Sequence, residues 1–81
     1  MGTTNTGHWV NGVLEGWGEE EHPDGSKYVG EFKDGKKSGK GTYVWSDKSK
    51  YIGDWKNNLI DGQGIYTWDD GRKYVGGFKA S

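Results

Sequence analysis

At 81 residues and a net charge of −1, the chain has room for one small domain and carries no overall field that would select nucleic acid or an acidic substrate. Only 30% of its residues are hydrophobic and half of those are aromatic, against 16 glycines, which excludes two packed aliphatic layers and favours a single-layer sheet with large rings laid over glycines. Cysteine is absent, so neither a disulfide nor a thiolate metal centre can staple the fold.

Met1 to Thr4 carry no pattern and are expected to be a disordered start or a cloning remnant. No apolar run follows Met1, and no stretch approaches the roughly 20 apolar residues of a membrane-spanning helix. The expectation is a cytoplasmic protein, with the periphery of a membrane as the alternative location.

Residues 5 to 27 form a loose first copy of a unit that recurs twice downstream. Asn5 to His8 reads as a fraying edge strand, Trp9 follows, and Asn11-Gly12 is a turn signal. Val13-Leu14 then occupy positions held later by Lys36-Lys37 and Leu59-Ile60, so two of the three loops carry an apolar pair expected to fold over the side of the sheet. The next strand, Gly16 to His22, carries Glu19-Glu20-Glu21, charges that discourage edge pairing. Trp17 falls on the face opposite the main aromatic row, and Pro23-Asp24-Gly25 turns the chain.

Residues 28 to 50 are the clearest unit. Tyr28, Gly30 and Phe32 step by two, as do Gly39, Gly41, Tyr43 and Trp45, which is the strand period. Between the runs, Asp34-Gly35 followed by Lys36, Lys37 and Ser38 reads as a polar hairpin loop. Sliding the unit forward by 23 positions onto residues 51 to 73 gives nine identities without a gap, among them Tyr28/Tyr51, Gly41/Gly64, Tyr43/Tyr66 and Trp45/Trp68. A fixed period of this size marks an array of supersecondary units. At the second turn, Lys48 stands where the other copies have Gly25 and Gly71, so this turn is expected to be strained or rearranged. Residues 74 to 81 begin a fourth copy with Tyr74, Gly76 and Phe78.

The pattern Tyr-x-Gly-x-aromatic-x-Asp/Asn-Gly, then Gly-x-Gly-x-Tyr-x-x-x-Asp-Gly, resembles the MORN repeat (membrane occupation and recognition nexus) over residues 5 to 81. The chain departs from it at Asn5, at Glu20 and His22 in place of an aromatic pair, at Lys48 and at Asn58. The resemblance implies an accessory module, since such repeats occur in phosphoinositide kinases, junctional membrane proteins, a lysine methyltransferase and cytokinesis scaffolds. It also implies membrane binding.

No enzyme is read here. His22 beside Glu19, Glu20, Glu21 and Asp24 matches no metal-ligand spacing. The glycine-rich run from Gly35 to Gly41 resumes as a strand, and a phosphate loop needs a helix after it. Neither cofactor nor metal is expected.

The expected fold is all-β, with tandem hairpins and a terminal strand in one elongated, twisted, single-layer antiparallel sheet. One face would carry Tyr28, Phe32, Tyr43, Trp45, Tyr51, Trp55, Tyr66, Trp68, Tyr74 and Phe78, with Trp45 and Trp68 placed equivalently. The other would mix Val29, Val44, Ile52, Ile65 and Val75 with charges. Two functions are open. The aromatic face, Tyr28 to Tyr74, would bind a protein segment, with Tyr43, Tyr51, Trp55 and Tyr66 central. Alternatively Lys33, Lys36, Lys37 and Lys40, in a stretch of net charge +4 from residue 33 to 56, would bind anionic membrane lipid. Self-association through the two exposed sheet edges is a further expectation.

Overall fold

The computed structural model describes residues 2–79. Seven strands, β1 (Thr4–Val10), β2 (Val13–Glu21), β3 (Lys27–Lys33), β4 (Lys36–Val44), β5 (Lys50–Lys56), β6 (Leu59–Thr67) and β7 (Lys73–Phe78), pair antiparallel in sequence order as one open sheet. No helix occurs among the described residues. The molecule measures 40 × 27 × 16 Å, as a single twisted layer should.

Within each hairpin the connection is shorter than the sequence suggests. Asp34 and Gly35 alone make the turn, both with left-handed φ (54° and 78°), and Lys36, Lys37 and Ser38 already belong to β4. Asn11-Gly12 and Asn57-Asn58 turn in the same way, the geometry that matches strand twist in two-residue hairpins. Asn58 replaces the glycine at φ 71°, which asparagine tolerates.

Each hairpin also contains a bulge. Between Gly30↔Gly41 and Phe32↔Lys37, Glu31 alone faces residues 38–40; Asp54 likewise faces 61–63. Gly39 and Gly62 supply the left-handed φ inside these bulges (70° and 113°), and the acidic side chain across from each caps the loosened backbone. Glu31 accepts from Lys40 N–H at 2.7 Å, and Asp54 accepts from Gln63 N–H at 3.0 Å. The period-two reading therefore fails before Gly41. The extra residues rotate Leu14, Lys37 and Ile60 onto the aromatic face, while their neighbours Val13, Lys36 and Leu59 stay outside.

The turns between hairpins repeat one arrangement. In the first two, the aspartate accepts from the backbone and hydroxyl of a buried serine two residues on, Asp24 with Ser26 and Asp47 with Ser49. Lys48 N–H bonds Trp45 O and Trp45 N–H bonds Ser49 O, both at 2.9 Å, as the equivalent groups do at the Gly25 turn. The Lys48 turn is thus strained, with φ 76°, but not rearranged.

The core lies on the aromatic face and consists of Leu14, Tyr28, Phe32, Tyr51, Trp55 and Ile60. Tyr28 and Tyr51 are fully buried because each ring lies over a glycine of the next strand. A Cβ at Gly41 would stand 2.1 Å from the Tyr28 hydroxyl, and one at Gly64 2.3 Å from that of Tyr51. Tyr28 and Tyr51 donate their O–H to the carbonyls of the bulge residues Glu31 and Asp54, at 2.8 and 3.0 Å. Among the described residues no strand follows β7 to cover Tyr74, which is 45% exposed.

Candidate functional site

The aromatic face divides into two ladders. Phe32, Tyr28, Trp55, Tyr51, Phe78 and Tyr74 form a spine of edge-to-face pairs with successive centroids 5.1, 5.3, 5.5, 5.0 and 5.2 Å apart. Most of this spine is closed core, and Trp55 also donates Nε1–H to Gly41 O at 3.2 Å. Burial first, then the neighbouring carboxylates, pushes the Tyr28 and Tyr51 phenols up from the ordinary tyrosine value, so both remain protonated donors.

The second ladder is open. Tyr43, Trp45, Tyr66 and Trp68 follow one another at centroid distances of 4.7, 5.3 and 4.9 Å, with Arg72 stacked 5.7 Å from Trp68 at the end. Tyr43 and Tyr66 reach back with their hydroxyls, each 3.3 Å from the turn serine Ser26 or Ser49. Their rings and that of Trp45 stay partly exposed, and Trp68 is 39% exposed, so the two equivalent tryptophans lie at the edge of the core rather than inside it. The tandem register makes Trp45 and Trp68 equivalent but does not decide burial. Trp55 is central because strands flank it on both sides.

Between the ladders runs an open groove lined by Lys37, Tyr43, Trp45, Trp55, Asn58, Ile60 and Tyr66. Of the predicted partner-binding residues, Tyr43, Trp45, Tyr66, Trp68 and Tyr74 present accessible ring surface; Tyr28, Phe32, Tyr51 and Trp55 are spent largely on the core.

Lys37 was the residue least legible in sequence. Its ammonium lies 5.7, 5.8 and 5.9 Å from the rings of Tyr28, Tyr43 and Trp55, and 3.3 Å from Glu20, with both side chains about one-sixth exposed (14% and 16%). Glu20 also contacts His22 Nε2 at 3.1 Å. Glu20 and His22 stand where later copies have Tyr and Trp, and Lys37 where the first and third copies have Leu14 and Ile60. These three departures are therefore one compensated polar cluster at the groove's end.

The predicted lysine patch is divided by the fold. Lys37 is on the aromatic face, and Lys40 on the other face is bound by the Asp54 carboxylate, whose pKa is lowered by that hydrogen bond. Lys33 and Lys36 remain together, and Lys56 joins them around a shallow depression with Asp34, Ser38 and Asn57. No group of three or more metal-ligating side chains occurs among the described residues.

A single-layer sheet of tandem hairpins, with a closed ring spine and an open ring ladder, defines a repeat protein built to present a surface. The chain belongs to the MORN-repeat family: the family model described as MORN repeat matches residues 6–27, 28–50 and 51–71. These repeats are non-enzymatic modules of interaction and membrane association. A comparison with curated proteins finds no match.

Proposed function

We infer that this chain is a non-catalytic interaction module that takes a protein segment along the groove between its two aromatic ladders. The observation that carries the reading is the division of labour among the rings. The spine is mostly closed core, while Tyr43, Trp45, Tyr66 and Trp68 keep contiguous, partly exposed ring surface along the core's edge, the residue types that dominate binding hot spots. Their hydroxyl and indole tips add hydrogen-bonding capacity to apolar area.

The test is a selection of peptides from a displayed random library on the immobilised chain. Selected peptides should perturb the Trp45 indole signal and lose at least tenfold in affinity for Trp45→Ser or Tyr66→Ser, variants that spare the spine. Peptides that bind both variants as tightly as the parent would refute the groove.

A second reading, attachment to anionic headgroups, is supported by the convergence of Lys33, Lys36 and Lys56, none of which has a carboxylate within ion-pair distance among the described residues. Cosedimentation with phosphoinositide vesicles should then be salt-sensitive and fall with Lys36→Glu plus Lys56→Glu. Binding that persists in that double variant would place it elsewhere.

A further inference from the structure

The face opposite the ring ladders is not a plain solvated surface. Across β5, β6 and β7, Ile52 lies opposite Ile65 and Ile65 opposite Val75, a row of aliphatic side chains that are 44%, 37% and 64% exposed. Two residues along the same strands, Lys50 lies opposite Thr67 and Thr67 opposite Lys73, a parallel row with a cation at each end. Among the described residues neither lysine has a carboxylate within ion-pair distance. Of the carboxylates around the two rows, Glu31 and Asp54 are committed to the bulge amides, Asp54 also to Lys40, Glu19 to Lys27, Asp47 to Ser49 and Asp70 to Arg72, while Asp69 stands in the turn after Thr67. The face therefore pairs uncovered apolar area with two lysines that make no ion pair among the described residues.

We propose that this second face docks a short acidic amphipathic α-helix lying across β5–β7, its apolar stripe on Ile52, Ile65 and Val75 and its glutamates on Lys50 and Lys73. The geometry fits a helix in three ways. Adjacent strands lie about 4.8 Å apart and a helical turn advances about 5.4 Å, so each turn meets one strand. Lys50 and Lys73 are two strands apart, about 10 Å, and carboxylates seven residues apart on a helix are separated by about 10.5 Å. The lysine row lies about 7 Å to the side of the aliphatic row, within reach of the flank of a helix whose overall diameter is about 10–12 Å. A bilayer fits less well, because an apolar row of two isoleucines and a valine offers no aromatic or leucine wedge to insert. The site is independent of the groove, so the chain could hold one partner on each face.

The probe is a blocked 16-residue peptide of Ala, Leu and Glu with leucines on one helical face and glutamates along its flank, titrated into the isotope-labelled full chain at low salt. Amide shifts should concentrate at Ile52, Ile65 and Val75 and leave the Trp45 and Trp55 indoles in place. A copy of the peptide with lysine for glutamate should not bind, and Lys50→Glu with Lys73→Glu should weaken binding at least tenfold. Ile65→Thr, which keeps a β-branched exposed residue, should weaken it while preserving the unfolding midpoint. Absence of binding, equal binding of the lysine copy, or shifts confined to the ring groove would overturn the proposal. So would binding of phosphatidylserine vesicles to this face by a chain that ignores the peptide, which would make it a membrane surface.

Discussion

Lys37 shows how one residue's chemistry is set by where a bulge puts it. An ammonium resting over three rings keeps favourable cation–π contacts, yet it needs Glu20, because removing one member of such a pair leaves a part-buried charge. Replacing pair and partner by the residues of the later copies, Lys37→Ile with Glu20→Tyr, should stabilise by about 1 to 4 kcal/mol, since apolar packing commonly outperforms a buried ion pair. Lys37→Ile alone should gain less, and urea unfolding of the set should show a coupling of at least about 0.5 kcal/mol. At Lys48 the φ of 76° is one that glycine adopts freely and a side chain resists, while the turn's hydrogen bonds are intact. Lys48→Gly should therefore raise stability by about 1 kcal/mol, less what glycine adds to the unfolded chain's entropy. A midpoint lowered by Lys48→Gly would show that the turn is relaxed as it stands.

The hairpin was legible because its signals are local: period-two aromatics, Asp34-Gly35 and Asn11-Gly12, and a gapless register of 23. The bulge was not. Gly39 and Gly62 read as two more alternating strand positions, and nothing local to β4 or β6 says that Glu31 or Asp54 will reach across to the freed amides. One signal was available, an acidic residue always eight positions before the bulge glycine in the two regular copies, Glu31/Gly39 and Asp54/Gly62. The inter-hairpin turn was half legible, since Pro23-Asp24-Gly25 marks a turn but nothing local says that a buried serine will bond the aspartate. Hydrogen bonds from Ser26 and Ser49 hold the Asp24 and Asp47 carboxyls below the ordinary value of 3.8. A depressed folded-state pKa means a contribution that is complete above that ordinary value and is lost as the pH falls through the lowered one. Acid titration of unfolding should therefore steepen below about pH 4, and Ser26→Ala with Ser49→Ala should flatten that limb. An unchanged acid limb in the double variant would assign the proton uptake elsewhere.

At the scale of the whole molecule, the described strands pair only with their sequence neighbours, so long-range cohesion falls to side chains that bridge two strands. The ring spine does this, with Tyr28 on β3 meeting Trp55 on β5 and Tyr51 on β5 meeting Phe78 on β7. Trp55 is the middle link, in contact with Tyr28, Tyr43 and Tyr51 and bonded to Gly41 O. Trp55→Ala should cost about 3 to 5 kcal/mol, a large share of what an 81-residue domain has in hand, and should also uncouple the two ends of the sheet. Unfolding would then lose its two-state character, with a shallower denaturant slope and tyrosine and tryptophan signals that no longer coincide. Trp68→Ala removes a ring that is 39% exposed at the end of the open ladder, and it should cost less than about 1.5 kcal/mol with the slope unchanged. Scanning calorimetry and urea melts of the two variants, side by side, separate spine from ladder. Equal costs for Trp55→Ala and Trp68→Ala would mean that both ladders are core, and the open one would then have no surface to spare for a partner.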